Sequence, residues 1–278
     1  MSDPATTPAA DTQNIHYKGA CHCGAFEFSF KLPEITKTSE CDCSYCARHA
    51  YIWARTLGTF AVDKGAEEDL VGYNFGTKAL THKFCGVCGS SVFGRYSAEF
   101  DNAVSVNLRC VDNIDIYALA KGEPFKGSAW GDAYSAPAPI EPAPASSPAD
   151  DGATVYHGNC HCGAIGFALT RSAEDGKITT ARECNCSICR RDGVAWVYPR
   201  VADVTFRGVQ EKGREYTFGR ERCHHVFCTT CGDSVYTRFS GVDAEGKERS
   251  EHCALNVRLM NDLDLGAVEM EMFNGKDI

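Results

Sequence analysis

The sequence predicts two tandem, mostly β domains built around zinc-binding loops. Three observations carry that prediction. Seven cysteines recur in each half with the same spacing, C-x-C, C-x-C-x-x-C and C-x-x-C. Short apolar–polar alternations punctuated by glycine stand where strands would fall. A stretch rich in proline and alanine separates the two halves.

Taken in order, residues 1–14 read as a flexible tail of Ala, Thr, Pro and Asp without periodicity. The first domain is expected over residues 15–130, opening on Ile15-His16-Tyr17-Lys18-Gly19. Phe26, Phe28 and Phe30 alternate with Ala25, Glu27 and Ser29, which gives a strand one apolar face. Val104, Val106 and Leu108 alternate likewise. Residues 131–153 hold five of the ten prolines, Pro137, Pro139, Pro142, Pro144 and Pro148, and read as an extended linker leaning to polyproline II. An irregular loop packed on a domain is the alternative. The second domain, 154–278, restarts at Val155-Tyr156-His157-Gly158 and repeats the alternations with Ile165, Phe167 and Leu169, then Leu255 and Val257. No long amphipathic helix is expected.

The two copies hold register at an offset of 143 from Cys41–Tyr96 to Cys184–Phe239. Trp53 matches Trp196, Tyr73 matches Tyr216, and Phe75-Gly76 matches Phe218-Gly219. A period of that length means duplicated domains, because solenoid repeats run roughly 20–50 residues.

Seventeen cysteines in one chain imply either disulfides or metal thiolates. No basic region leading into an apolar run stands at the start, and no stretch of about 20 apolar residues occurs. C-x-C pairs sit too close for easy bridging, whereas tight C-x-x-C turns suit zinc. Metal thiolates in a reducing compartment, the cytoplasm or else the nucleus, are therefore expected. The net charge of −9 disfavours general affinity for nucleic acid or anionic membranes. Thiolate-bound zinc makes the chain more acidic still.

A structural zinc takes four ligands arranged tetrahedrally. The turn holding Cys85 and Cys88 supplies two, and Cys21 and Cys23 would supply the others. The same logic groups Cys160 and Cys162 with Cys228 and Cys231. Three thiolates then remain in each half: Cys41, Cys43 and Cys46, and Cys184, Cys186 and Cys189. Three protein ligands with one open position is the pattern of a catalytic zinc. Spacing alone leaves the pairing open, and a nearby side chain closing the second site is the alternative. His49 is a candidate for that, but it aligns with Asp192; Cys110 aligns with Leu259, and Cys223 with Leu80.

His22 and His161 lie between converging ligands and are expected to point away from the metal. His82 and His225 read as packed strand histidines, and Trp53 and Trp196 as core. Arg48 and Arg191 are candidates for a ligand carboxylate, with a solvated arginine as the equal alternative. Asn185-Cys186-Ser187 fits the glycosylation pattern only formally, because it lies in a ligand loop.

In order and spacing, Gly-x-Cys-His-Cys-Gly, Cys-x-Cys-Ser-x-Cys and Phe-Cys-x-x-Cys-Gly, each present twice, resemble the family of glutathione-dependent formaldehyde-activating enzymes and centromere protein V. The resemblance covers nearly the whole chain apart from tail and linker. It implies small tent-like β domains and up to four zinc ions. Structural zincs would sit on Cys21, Cys23, Cys85, Cys88 and on Cys160, Cys162, Cys228, Cys231. Three-coordinate zincs would sit on Cys41, Cys43, Cys46 and on Cys184, Cys186, Cys189. It implies a carbon–sulfur lyase condensing glutathione, or a similar small thiol, with formaldehyde to S-hydroxymethylglutathione. The rival expectation is a noncatalytic zinc-binding scaffold, for which a basic extension would be wanted and an acidic tail and linker are found.

Overall fold

The computed structural model describes residues 13–142, 152–243 and 245–277; most of the expected tail and residues 143–151 of the expected linker lie outside them. The chain is mostly β, as expected, and its sheets fall into two sets. Among the described residues every strand pairing stays within one half.

In the first half, Ile15–Ala20, Glu27–Leu32 and Ala61–Lys64 form a three-stranded sheet in that spatial order. A five-stranded sheet runs Trp53–Arg55, Val104–Asn107, Ser91–Tyr96, Leu80–Cys85, Leu70–Tyr73. The second half repeats the small sheet as Val204–Arg207, Gly166–Arg171, Thr154–Asn159. Its larger sheet has seven strands, because Thr180–Cys184 and Glu269–Phe273 pair in parallel and extend it. The first half marks the same places with isolated bridges, Lys37 to Ala120 and Cys41 to Phe125. The alternating aromatics behave as their period requires, with Phe26, Phe28 and Phe30 all buried.

The helices are short, Ser44–His49, Ser187–Asp192 and Val209–Lys212. Cys43 caps the first by accepting the Cys46 N–H on its sulfur, and the chain leaves through Ala50 in the left-handed region.

The halves pack into each other. Tyr45, Cys46 and Tyr51 of the first half belong to the second half's core cluster, and Tyr216 packs against the first half's. Gly89, at φ +80°, lies where a Cβ would come within 2.8 Å of the Phe227 ring. Gly232, at φ +79°, stands in the same relation to Phe84, at 2.9 Å. Only glycine meets both demands, a left-handed backbone and no side chain. The expected linker begins against the second half: Tyr134 stacks on His161 with ring centroids 4.7 Å apart. No described helix is long and apolar enough to cross a membrane.

Candidate metal centres

The structure gathers fourteen cysteines into four groups, in each of which the sulfurs lie within 4.8 Å of one another. Cys21, Cys23, Cys85 and Cys88 form one group of four, and Cys160, Cys162, Cys228 and Cys231 the other. Cys41, Cys43, Cys46 and Cys184, Cys186, Cys189 form the groups of three. All seventeen cysteines are free thiols.

Local sequence explains the convergence. The C-x-x-C pairs sit on the hairpin turn that follows Leu80–Cys85 and Cys223–Cys228, and the C-x-C pairs on the turn that follows the opening strand of each half. Sulfurs of Cys21 and Cys23, and of Cys23 and Cys85, are 3.6 Å apart. The distances repeat at 3.6 Å for Cys160 with Cys162 and Cys162 with Cys228. A tetrahedron with zinc–sulfur bonds of about 2.3 Å has an edge of about 3.8 Å, so the donor sets fit zinc.

Proton sharing points the same way. Hydrogen bonds from Cys85 and Cys88 hold Cys21 down at about 3. Cys41 and Cys46 hold Cys43 down at about 2, while Cys41 as the donor is pushed up to about 11. In the second half Cys186 and Cys189 hold Cys184 down at about 3. In each group one thiolate is stabilised by neighbours that keep their protons, Cys46, Cys85 and Cys189 being pushed up, and those are the protons a metal would displace.

No fourth Cys, His, Asp or Glu joins either group of three among the described residues. His49, considered above as a closing ligand, turns instead to the second half, its Nε2 2.6 Å from Asp233 Oδ1. Cys110 is buried and donates to the Ser91 carbonyl, and Cys223 lies 4.0 Å from the Arg249 guanidinium. Two surface clefts, of about 570 and 390 Å³, include none of the ligand cysteines.

Several side chains around the groups of three exceed their sequence reading. The indole N–H of Trp53 donates to Cys46 Sγ and that of Trp196 to Cys189 Sγ, both at 3.4 Å. Arg48 and Arg191 are half-buried, and each is bonded across to the opposite half. Arg48 donates to Ser44 O and to Asn261 of the second half; Arg191 donates to Ser187 O and to Asp112 of the first. His82 and His225 are buried, which lowers them to about 3 and about 4.

Two residues were missed. A Cβ on Gly127 would lie 2.3 Å from Cys41 Sγ, and one on Gly275 2.4 Å from Cys184 Sγ. The signal was present: Phe125-Lys126-Gly127 returns as Phe273-Asn274-Gly275.

A Rhodobacter sphaeroides protein of known crystal structure is 28% identical and matches 41% of this chain and 99% of its own, with a TM-score of 0.33. The sequence profile described as glutathione-dependent formaldehyde-activating enzyme matches twice, over residues 16–125 and 155–275. With both halves matched, the chain belongs to the glutathione-dependent formaldehyde-activating enzyme family.

Proposed function

We propose that the chain is a zinc-dependent carbon–sulfur lyase acting on glutathione, or a similar small thiol, and its adducts with formaldehyde. Cys41, Cys43 and Cys46 would hold one zinc with three thiolates, and Cys184, Cys186 and Cys189 would hold its counterpart in the other half. The groups of four are structural. Two domains, 15–130 and 154–278, joined by 131–153 and each of the tent-like family form, and a cytoplasmic setting belong to this reading. The observation that supports it is the contrast between four-sulfur and three-sulfur groups in a chain of this family.

Zinc, when bound, supplies Lewis acidity and a lowered thiol pKa at its free position. The chain's own residues shape the surroundings. Trp53 and Trp196 orient one sulfur of each group and draw charge from it. Tyr73, Phe75 and His82 pack around the first group's Tyr45 and limit water there. In the net reaction the thiol sulfur bonds to the formaldehyde carbon and the thiol proton ends on the new hydroxyl.

Formaldehyde–glutathione exchange measured by NMR tests the reading, with the fast uncatalysed reaction subtracted. Zinc-loaded protein is expected to exceed background, and folded Cys46→Ala/Cys189→Ala protein to return to it. No enhancement at any protein concentration would sink the formaldehyde reaction. The burial of Cys46 and Cys189 favours a second reading, a noncatalytic zinc scaffold, which that outcome would promote.

A further inference from the structure

Between its two ligands, each Cys-His-Cys turn carries a histidine that serves the other half. His161 Nε2 pairs with Ser44 Oγ at 2.9 Å, and its Nδ1 pairs with Tyr73 OH at 2.7 Å. His22 mirrors this, with Nε2 2.8 Å from Ser187 Oγ and Nδ1 2.8 Å from Tyr216 OH. The Phe75 ring lies 4.5 Å from His161 and the Phe218 ring 4.3 Å from His22. Both ring nitrogens are thus used in both copies, and always across the halves.

The partners stand at decisive places. Ser44 follows Cys43 and opens the helix that carries Cys46, so holding its hydroxyl holds the turn joining two ligands of the first group of three. Ser187 stands likewise between Cys186 and Cys189. At its other end each histidine is anchored to its own half. The His161 N–H donates to Asp233, and the His22 N–H to Ser90 Oγ at 3.1 Å. Asp233 and Ser90 both lie two residues beyond the C-x-x-C pair of a group of four. A continuous bonded path therefore runs from each group of four to the opposite half's group of three.

We propose that His161 and His22 are positioning residues for the three-cysteine centres of the opposite halves, so that each open centre is completed crosswise. The proposal rests on the metal-centre reading given above, but not on any particular reaction.

Full-length protein carrying Cys184→Ser, Cys186→Ser and Cys189→Ser retains one open centre and is loaded with cobalt(II). Adding His161→Ala is expected to shift the visible ligand-field bands of the Cys41–Cys43–Cys46 centre, and adding His22→Ala to leave them in place. In the zinc-loaded natural chain, peptide-resolved alkylation gives the second readout. His161→Ala should raise labelling of Cys41, Cys43 and Cys46 roughly tenfold, equivalent to about 1.4 kcal/mol, with Cys184, Cys186 and Cys189 unchanged. Labelling that rises only at Cys160, Cys162, Cys228 and Cys231, or equally in all groups, would overturn the proposal. Should His161→Ala fail to fold, Ser44→Ala removes the same bond without touching that turn, and unchanged labelling of the first centre would overturn it too. Crosswise labelling without formaldehyde exchange leaves the positioning role standing and removes the lyase; the reverse result removes only the positioning role.

Discussion

Asp192 shows how far single residues of the two copies have diverged where they meet. It stands where the first half has His49, is buried, and its Oδ1 has no hydrogen-bond partner among the described residues. Burial raises its carboxyl well above the usual range. The folded state therefore binds this proton more tightly than the unfolded chain, whose aspartates titrate near 4. Stability falls as pH rises above that value toward the folded pKa. Asp192→Asn should remove this dependence, raising stability by about 1–3 kcal/mol at pH 8 and little at pH 4. Thermal unfolding of both proteins across that range would show it, and parallel curves would speak against a buried acid.

At the scale of elements, the ligand loops depend on strands that lie far from them in sequence. The Cys41–Cys46 loop is held from outside by Phe125 and Gly127, with the Ser128 N–H donating to Asp42 at 2.8 Å. The Lys276 N–H makes the same bond to Asn185 at 3.0 Å. Gly127→Ala or Gly275→Ala would drive a methyl group into a ligand sulfur. Each should release one metal equivalent, read by chelator titration, and cost about 1–3 kcal/mol from overpacking; full retention of metal would refute this.

The cysteine groups were legible because ligand spacing is a local property that survives translation into turns. The clamping strands were not. A pairing between Thr180–Cys184 and Glu269–Phe273 joins segments nearly ninety residues apart; Glu269–Phe273 alternates as Glu-Met-Glu-Met, but alternation does not name the partner strand, and Thr180–Cys184 shows no clear pattern. Periodicity likewise identified Phe28 and Val106 as buried, but it reports a face and not what covers that face. Tyr45 and Tyr51 show this limit: the sequence marks them as aromatic, and only the fold places them in the other half's core.

For the whole molecule, those tyrosines mean that neither half presents a finished surface alone. Tyr45, whose hydroxyl donates to the Cys231 carbonyl at 2.5 Å, and Tyr51 are both buried. Separating the halves would uncover them, and apolar surface of that kind drives association. A chain cut to residues 13–130 should self-associate, pairing two first halves where first and second now meet. Sedimentation equilibrium would read this directly, and a stable monomer would contradict it. The reciprocal packing of Gly89 on Phe227 and Gly232 on Phe84 has a further consequence, for inheritance. A glycine that looks as if it belongs to its own cysteine turn also answers to a ring encoded in the other copy. After duplication the two copies could drift in their loops but not independently at this seam. A chimaera that imports one half from a relative inherits half of a matched pair.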